Sequence, residues 1–410
     1  MKKSIFFAAL MIGAFVLTGC EKSNETPEAT QTEMWPAFNS EVGLYGYINK
    51  KGQWAIPAQF SAASSYFSCG IAQVQLNGKN VFIDKSGKVQ AAVSFDSADE
   101  FRYGYAKASL NGKFGLIDSK LDYAIAPAYD NTLSEMTNDG IVTFQAAAGH
   151  IGFLDKKGNI LTVGDQPVYY EFAEGFRDGY CVVCSDMSTV TAKGTPRTPT
   201  YFVIDTKFNV VIADGQYMEL ENLGNGLFKV LPYSTDPKYE YDIYSIKEKR
   251  NINAIKYDNV QPFSEDGYAV VRSDNARGMI DVNGQPVVAL SMDDVQQSYD
   301  GYAWATKDDD RFLMDIANSA SRIITLLNKD DDKEYEMCNV HNGLVLIRKD
   351  HTDSKGNLEV EYRWVDVKNG NATVFSWMYA KDSKYQGDLT PNCAPAKKGA
   401  KALSQYVFLH

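Results

Sequence analysis

The side chains that could do chemistry are few in this chain, and their spacing does not bring them together. Its four histidines are His150 in a turn pattern, His351 in a polar stretch, His341, and His410 as the last residue, and no shared ligand set follows from them. Six cysteines stand at 20, 69, 181, 184, 338 and 393. Cys181 and Cys184 have the separation of a redox pair, but Tyr180-Cys181-Val182-Val183-Cys184 reads as a strand, in which residues three apart point to opposite faces. They are read as small core or surface cysteines. The five that follow Cys20 are an odd, sparse count, which argues against a disulfide framework. Asp308-Asp309-Asp310 and Asp330-Asp331-Asp332 lack the alternating spacing and glycine of a calcium loop and read as solvated turns. Nucleophile-elbow, phosphate-loop, zinc-protease and dinucleotide patterns are absent from the sequence. No cofactor, metal or catalytic residue is expected.

The amino terminus has a different kind of chemistry. Lys2 and Lys3 precede the apolar run Ile5 to Leu17, which is too short to cross a bilayer that needs about 20 such residues. It reads as a cleaved secretory signal over residues 1–19. Leu17-Thr18-Gly19-Cys20 resembles a bacterial lipobox, which implies lipid on Cys20. Residues 20–35 are then a polar tether, too poor in apolar side chains to fold. The expected location is the bacterial cell envelope, anchored by lipid at the outer membrane, with the side of the membrane left open.

Charge excludes one class of partner. The chain carries 41 basic and 52 acidic residues, and the leader accounts for two of the lysines, so the remainder stands at −13. Duplex nucleic acid draws on a basic patch that this balance does not suggest.

The elements that position everything else are repeats. A strand ending in Asp or Asn, followed by a turn that often holds glycine, recurs as Gly46-Tyr47-Ile48-Asn49, Val81-Phe82-Ile83-Asp84, Gly115-Leu116-Ile117-Asp118, Gly152-Phe153-Leu154-Asp155, Phe202-Val203-Ile204-Asp205 and Gly278-Met279-Ile280-Asp281. Later copies end at Asp315 and Asp366, and a degenerate one surrounds Tyr244-Ser245-Ile246. A second unit alternates with it: an aromatic, a short polar gap, a glycine and a strand. Phe101 with Gly104-Tyr105-Ala106 and Phe263 with Gly267-Tyr268-Ala269 are examples. Each period predicts three to four strands, and a unit that small cannot bury both faces alone.

These residues resemble the WG-repeat family, whose unit joins a glycine-aromatic-isoleucine-aspartate hairpin to an apolar-proline step. Ala55-Ile56-Pro57 and Ile125-Ala126-Pro127 carry that step. The resemblance is best over residues 43–158, and the namesake Trp-Gly pair is replaced, as in Leu44-Tyr45-Gly46. It implies no shared enzymatic activity, and members are often exported or surface proteins.

The expected fold is all-β, with about eight to nine repeats over residues 36–410. Blade length favours a β-propeller over a β-solenoid. The expected function is a non-enzymatic interaction module for a protein, peptide or glycan ligand. Two alternatives stay open, a polysaccharide-active hydrolase or lyase and a structural spacer. The connection between the glycine-led strand and the next hairpin is usually short, as in Asn77-Gly78-Lys79, but lengthens at 185–200, 232–240 and 349–361. Equivalent joints of stacked repeats emerge on one face. The candidate binding rim is therefore Arg197; Tyr233, Asp236, Lys238 and Tyr239; and His351, Asp353 and Lys355. A first expected outcome concerns the anchor. Cys20→Ala should abolish lipid attachment and release the protein from membranes, and a salt-washed membrane fraction that retains the variant would refute it.

Overall fold

A strand buries both faces only when it lies between two other layers, and the burial of this chain has that signature. All four of Cys181, Val182, Val183 and Cys184 are buried, where a sheet with one wet face would alternate. The computed structural model describes residues 33–64, 67–90, 95–188, 199–233, 240–329 and 332–380. Apart from the 3-10 turn Ala147–Gly149, the elements among them are strands. They form nine small antiparallel sheets, the blades, at residues 35–60, 62–84, 97–129, 141–170, 172–212, 219–251, 259–292, 294–325 and 332–380. Blade 3 is typical, with Ser97–Ala98, Tyr105–Leu110, Lys113–Asp118 and Tyr123–Tyr129 hydrogen-bonded in sequence order. Blade 4 adds a small outer hairpin, Thr162–Val163 with Gln166–Pro167.

The array closes. Eight apolar clusters fill the junctions between successive blades, and the largest joins blade 9 to blade 1 and runs on into blade 2. Cys181 and Val183 face blade 4, beside Ile141 and Phe153, while Val182 faces blade 6, beside Leu220 and Phe228. Met34 and Trp35 are buried in the ring, which therefore starts before the tether boundary expected at residue 35; at the closing seam Trp35 Nε1 donates to the His341 carbonyl at 3.2 Å and Trp364 Nε1 donates to the Pro36 carbonyl at 3.0 Å. The fold is a nine-bladed β-propeller. Closure settles the choice between propeller and solenoid.

The repeated aspartates work as expected. Asp155 Oδ1 accepts the backbone N–H groups of Lys157 and Asn159, at 2.8 and 2.9 Å, and Asn49 does the same for Lys51 and Gln53. Such an Asx turn ends with a residue at positive φ, usually glycine. Where Leu121 and Phe208 stand there instead, with φ of 67° and 64°, both are packed into inter-blade clusters that hold them. The cysteine reading needs one amendment. Cys181 and Cys184 are buried free thiols, but Cys69 is disulfide-bonded.

The glycine and the proline step of the repeat meet in space. In blades 1, 3 and 7 the outermost strand bulges, and the bulge passes directly over a glycine of the strand beside it. A Cβ on Gly115 would lie 2.3 Å from the Ile125 carbonyl oxygen, and one on Gly46 would lie 2.5 Å from that of Ile56. Backbone cannot yield as a side chain end can. Gly115→Ala should therefore cost about 3 kcal/mol, the upper end for overpacking. Gly112→Ala, at φ 75° with open space around it, should cost about 1 kcal/mol. Urea denaturation of the two variants checks this, and equal losses would contradict it.

Candidate functional site

Antiparallel order puts the turns that lead into the glycine-led strands at one end of the ring and the turns that follow those strands at the other. At the first end, the polar gap before each glycine does most of the work. Asp139 accepts the N–H of Gly179 at 2.8 Å, Asp266 that of Gly301 at 2.7 Å, Asp300 that of Gly343 at 2.9 Å, and Asp178 that of Asn225 at 3.0 Å. In each pair the acceptor belongs to one blade and the donor to the next. The glycines that lead the second strands, among them Gly104, Gly179, Gly267 and Gly301, all have positive φ.

These turns also reach across the axis. Arg177 of blade 5 passes blade 6, and its Nη2 donates to the Phe263 carbonyl of blade 7 at 2.7 Å. Arg102 pairs with Glu135 at 3.2 Å. Burial, and then the nearby charges of Glu265 and Asp178, push the Tyr103 hydroxyl above its ordinary value. Burial and Asp266 push Tyr299 up to about 12. Turns of blades 3, 5, 7 and 8 thus converge in one polar cluster. Behind it, Asp99 and Glu174 stand three residues before Arg102 and Arg177, in the matching sequences Asp99-Glu100-Phe101-Arg102 and Glu174-Gly175-Phe176-Arg177. Both carboxylates are accessible to water yet crowded by protein. Burial raises the pKa of Asp99 and Glu135, and lifts Glu174 to about 7 against a 3.5 Å hydrogen bond from the Asn222 N–H.

The histidines stay apart. His341 lies in the first-end turn of blade 9, and burial lowers its pKa to about 4. His351 Nδ1 lies 2.7 Å from Asp332 Oδ1, and His150 closes the 3-10 turn. His410 is outside the described residues. Among the described residues no group of three or more His, Cys, Asp or Glu is placed to hold a metal. Asp308 and Asp309 form the positive-φ turn of a blade 8 hairpin, and Asp330 and Asp331 lie outside the described residues.

The three lengthened joints all connect second to third strands, so they share the opposite end. Arg197, Asp236, Lys238 and Tyr239 lie outside the described residues, and Tyr233 is 58% exposed. The third joint differs from the expected loop. Residues Leu344–Thr352 and Leu358–Asp366 are strands, so 349–361 is mostly a longer hairpin with a loop of five residues. Asp353 caps that loop by accepting the N–H groups of Lys355 and Asn357, both at 2.8 Å. On the hairpin, Lys349, His351, Glu359, Glu361 and Met378 line a shallow hollow.

Comparison with known proteins agrees with this architecture. WG containing repeats are found at residues 45–79, 82–114 and 251–275. Among solved structures, the chain is similar to a crystal structure of the eukaryotic initiation factor at TM-score 0.53 and 12% identity, covering 86% of this chain and 96% of that one. It is also similar to BamB from Moraxella catarrhalis at TM-score 0.35 and 14% identity, covering 69% and 90%. No curated protein matches by sequence. The class is a nine-bladed β-propeller carrying WG repeats. Each matched segment is offset from the blade: residues 45–79 run from the middle strand of blade 1 through the second strand of blade 2.

The raised carboxylates set a pH dependence. Because the folded value of Glu174, about 7, exceeds the unfolded value of 4.5, the fold favours its protonated form. That stability is full below the unfolded value and is lost as pH rises through the folded value. His341, with its pKa lowered by burial, acts in the opposite direction in wild type and variant alike, so Glu174→Gln should raise the melting temperature at about pH 8 relative to that at about pH 5.5. An unchanged difference in calorimetry would remove Glu174 from the account.

Proposed function

We propose that this protein is a lipid-anchored, non-enzymatic interaction module of the bacterial cell envelope, capturing a protein, peptide or glycan with the ring face that carries the second-to-third-strand connections. One observation carries the reading: that face is where the ring departs from its own rule. Blades 2 and 3 turn there through Asn77-Gly78 and Asn111-Gly112, two-residue hairpins with both φ angles positive. Blades 5 and 6 have lengthened connections instead, and blade 9 extends its hairpin. Loops on a rigid scaffold are where binding residues concentrate. The repeated acids favour binding over catalysis, because Asp84, Asp155, Asp205 and Asp281 hold turns and Asp266 and Asp300 hold neighbouring blades. The lipobox-like leader supports the anchor and the envelope location.

Replacing the three lengthened connections by Asn-Gly-Lys should leave the melting transition in place and remove capture in pull-downs from envelope extract or on a glycan array. Full retention of binding by the trimmed protein would move the site to the axial end.

A further inference from the structure

The outermost strand of a blade is a sheet edge, a row of backbone donors and acceptors open to another chain. Most outermost strands here are blunted. Those of blades 1, 3 and 7 contain Pro57, Pro127 and Pro286 and are bulged. Those of blades 4, 5 and 6 are two or three residues long, and that of blade 8 is five with Arg322 in it. Blade 9 breaks the pattern. Ala372–Ala380 is nine residues long, without proline or charge.

Its first half is covered. Val374 is the extra residue of a bulge, and its carbonyl is pressed against Gly52 of blade 1, with Trp54 on Phe375 at 5.2 Å between ring centres. Residues 376–380 pair with 359–363 on the inner side, and among the described residues no further backbone hydrogen bond is formed from their outer side. Met378 is 53% exposed. The same end of the blade holds two buried donors without an acceptor, Trp377 Nε1 and Arg363 Nε.

We infer that this edge pairs with the same edge of a second copy, antiparallel about a two-fold axis at Met378, to make one continuous sheet across two rings. The strand is suited to itself. It carries no charge, so antiparallel self-pairing opposes no like charges, and the axis sets Met378 against its own symmetry mate. The bulge at Val374 and the blade 1 turn stop further strands from extending the pairing, which limits the product to a dimer.

The experiment uses the full-length chain in its membrane, with Met378→Cys and, as a control equally exposed elsewhere, Val42→Cys. Paired residues about such an axis lie about 4.5–5.5 Å apart at Cα, within disulfide range. Mild oxidation should give a covalent dimer with Met378→Cys, at least about tenfold above Val42→Cys and wild type. Met378→Lys should leave melting unchanged and shift the protein to monomer in detergent by light scattering. Cross-linking at 378 no greater than at 42 overturns the proposal, as would happen if another chain or segment occupies the edge. A ladder of higher oligomers overturns it too, because a two-fold axis ends at two.

Discussion

The ring depends on the contact between its first and last blades. At the other junctions the outermost strand of one blade leads by a short connection into the next, so connectivity holds the partners together before they pack. Blades 9 and 1 are joined only through the whole ring, and their contact has to offset closure entropy by itself. The composition of the seam fits that demand. Four of the five tryptophans, Trp35, Trp54, Trp364 and Trp377, gather there, and two of them add indole hydrogen bonds between residues more than three hundred positions apart. Large aromatics bury the most area for each ordered side chain. Without this seam, blades 9 and 1 would each present a wet apolar face.

The remaining organisation is local, which is why so much of it is legible in the sequence. Turn aspartates, positive-φ glycines and strand alternation are decided within a few residues of the chain. The Asx turns at Asn49, Asp84, Asp155 and Asp281 could accordingly be read from spacing alone. Closure could not, because nothing local marks Trp35 as the partner of His341. The proline step is an intermediate case. Its recurrence is plain, but its reason, the passage of a bulge over Gly46 or Gly115, exists only once the outer strand is paired.

The axial cluster was missed for a related reason. Its residues sit in the short gap between an aromatic and a glycine, where the sequence pattern asks only for polarity. Arg102, Tyr103, Arg177, Asp178, Asp266 and Tyr299 are spread over four blades, and only the curvature of the ring brings them together. The signal that could have found them is the doubled acid-x-Phe-Arg sequence at Asp99 and Glu174. The blade 9 hairpin was misjudged differently. In Leu358–Asp366 the buried Val360 and Tyr362 do alternate with Glu359 and Glu361, but the polar run from Lys349 to Asn357 beside them hides the strand in the sequence.

The offset between repeat and blade bears on how such a chain can change over time. One repeat supplies the outer half of one blade and the inner half of the next, so each boundary between copies falls inside a sheet rather than between two sheets. Deleting or duplicating one copy would leave every sheet intact, with its strands drawn from new neighbours, and would alter only the number of sheets around the axis. Ring size then becomes a quantity that recombination can adjust one unit at a time, with the width of the central opening following it, while the tryptophan-rich junction between the two ends is carried along unchanged.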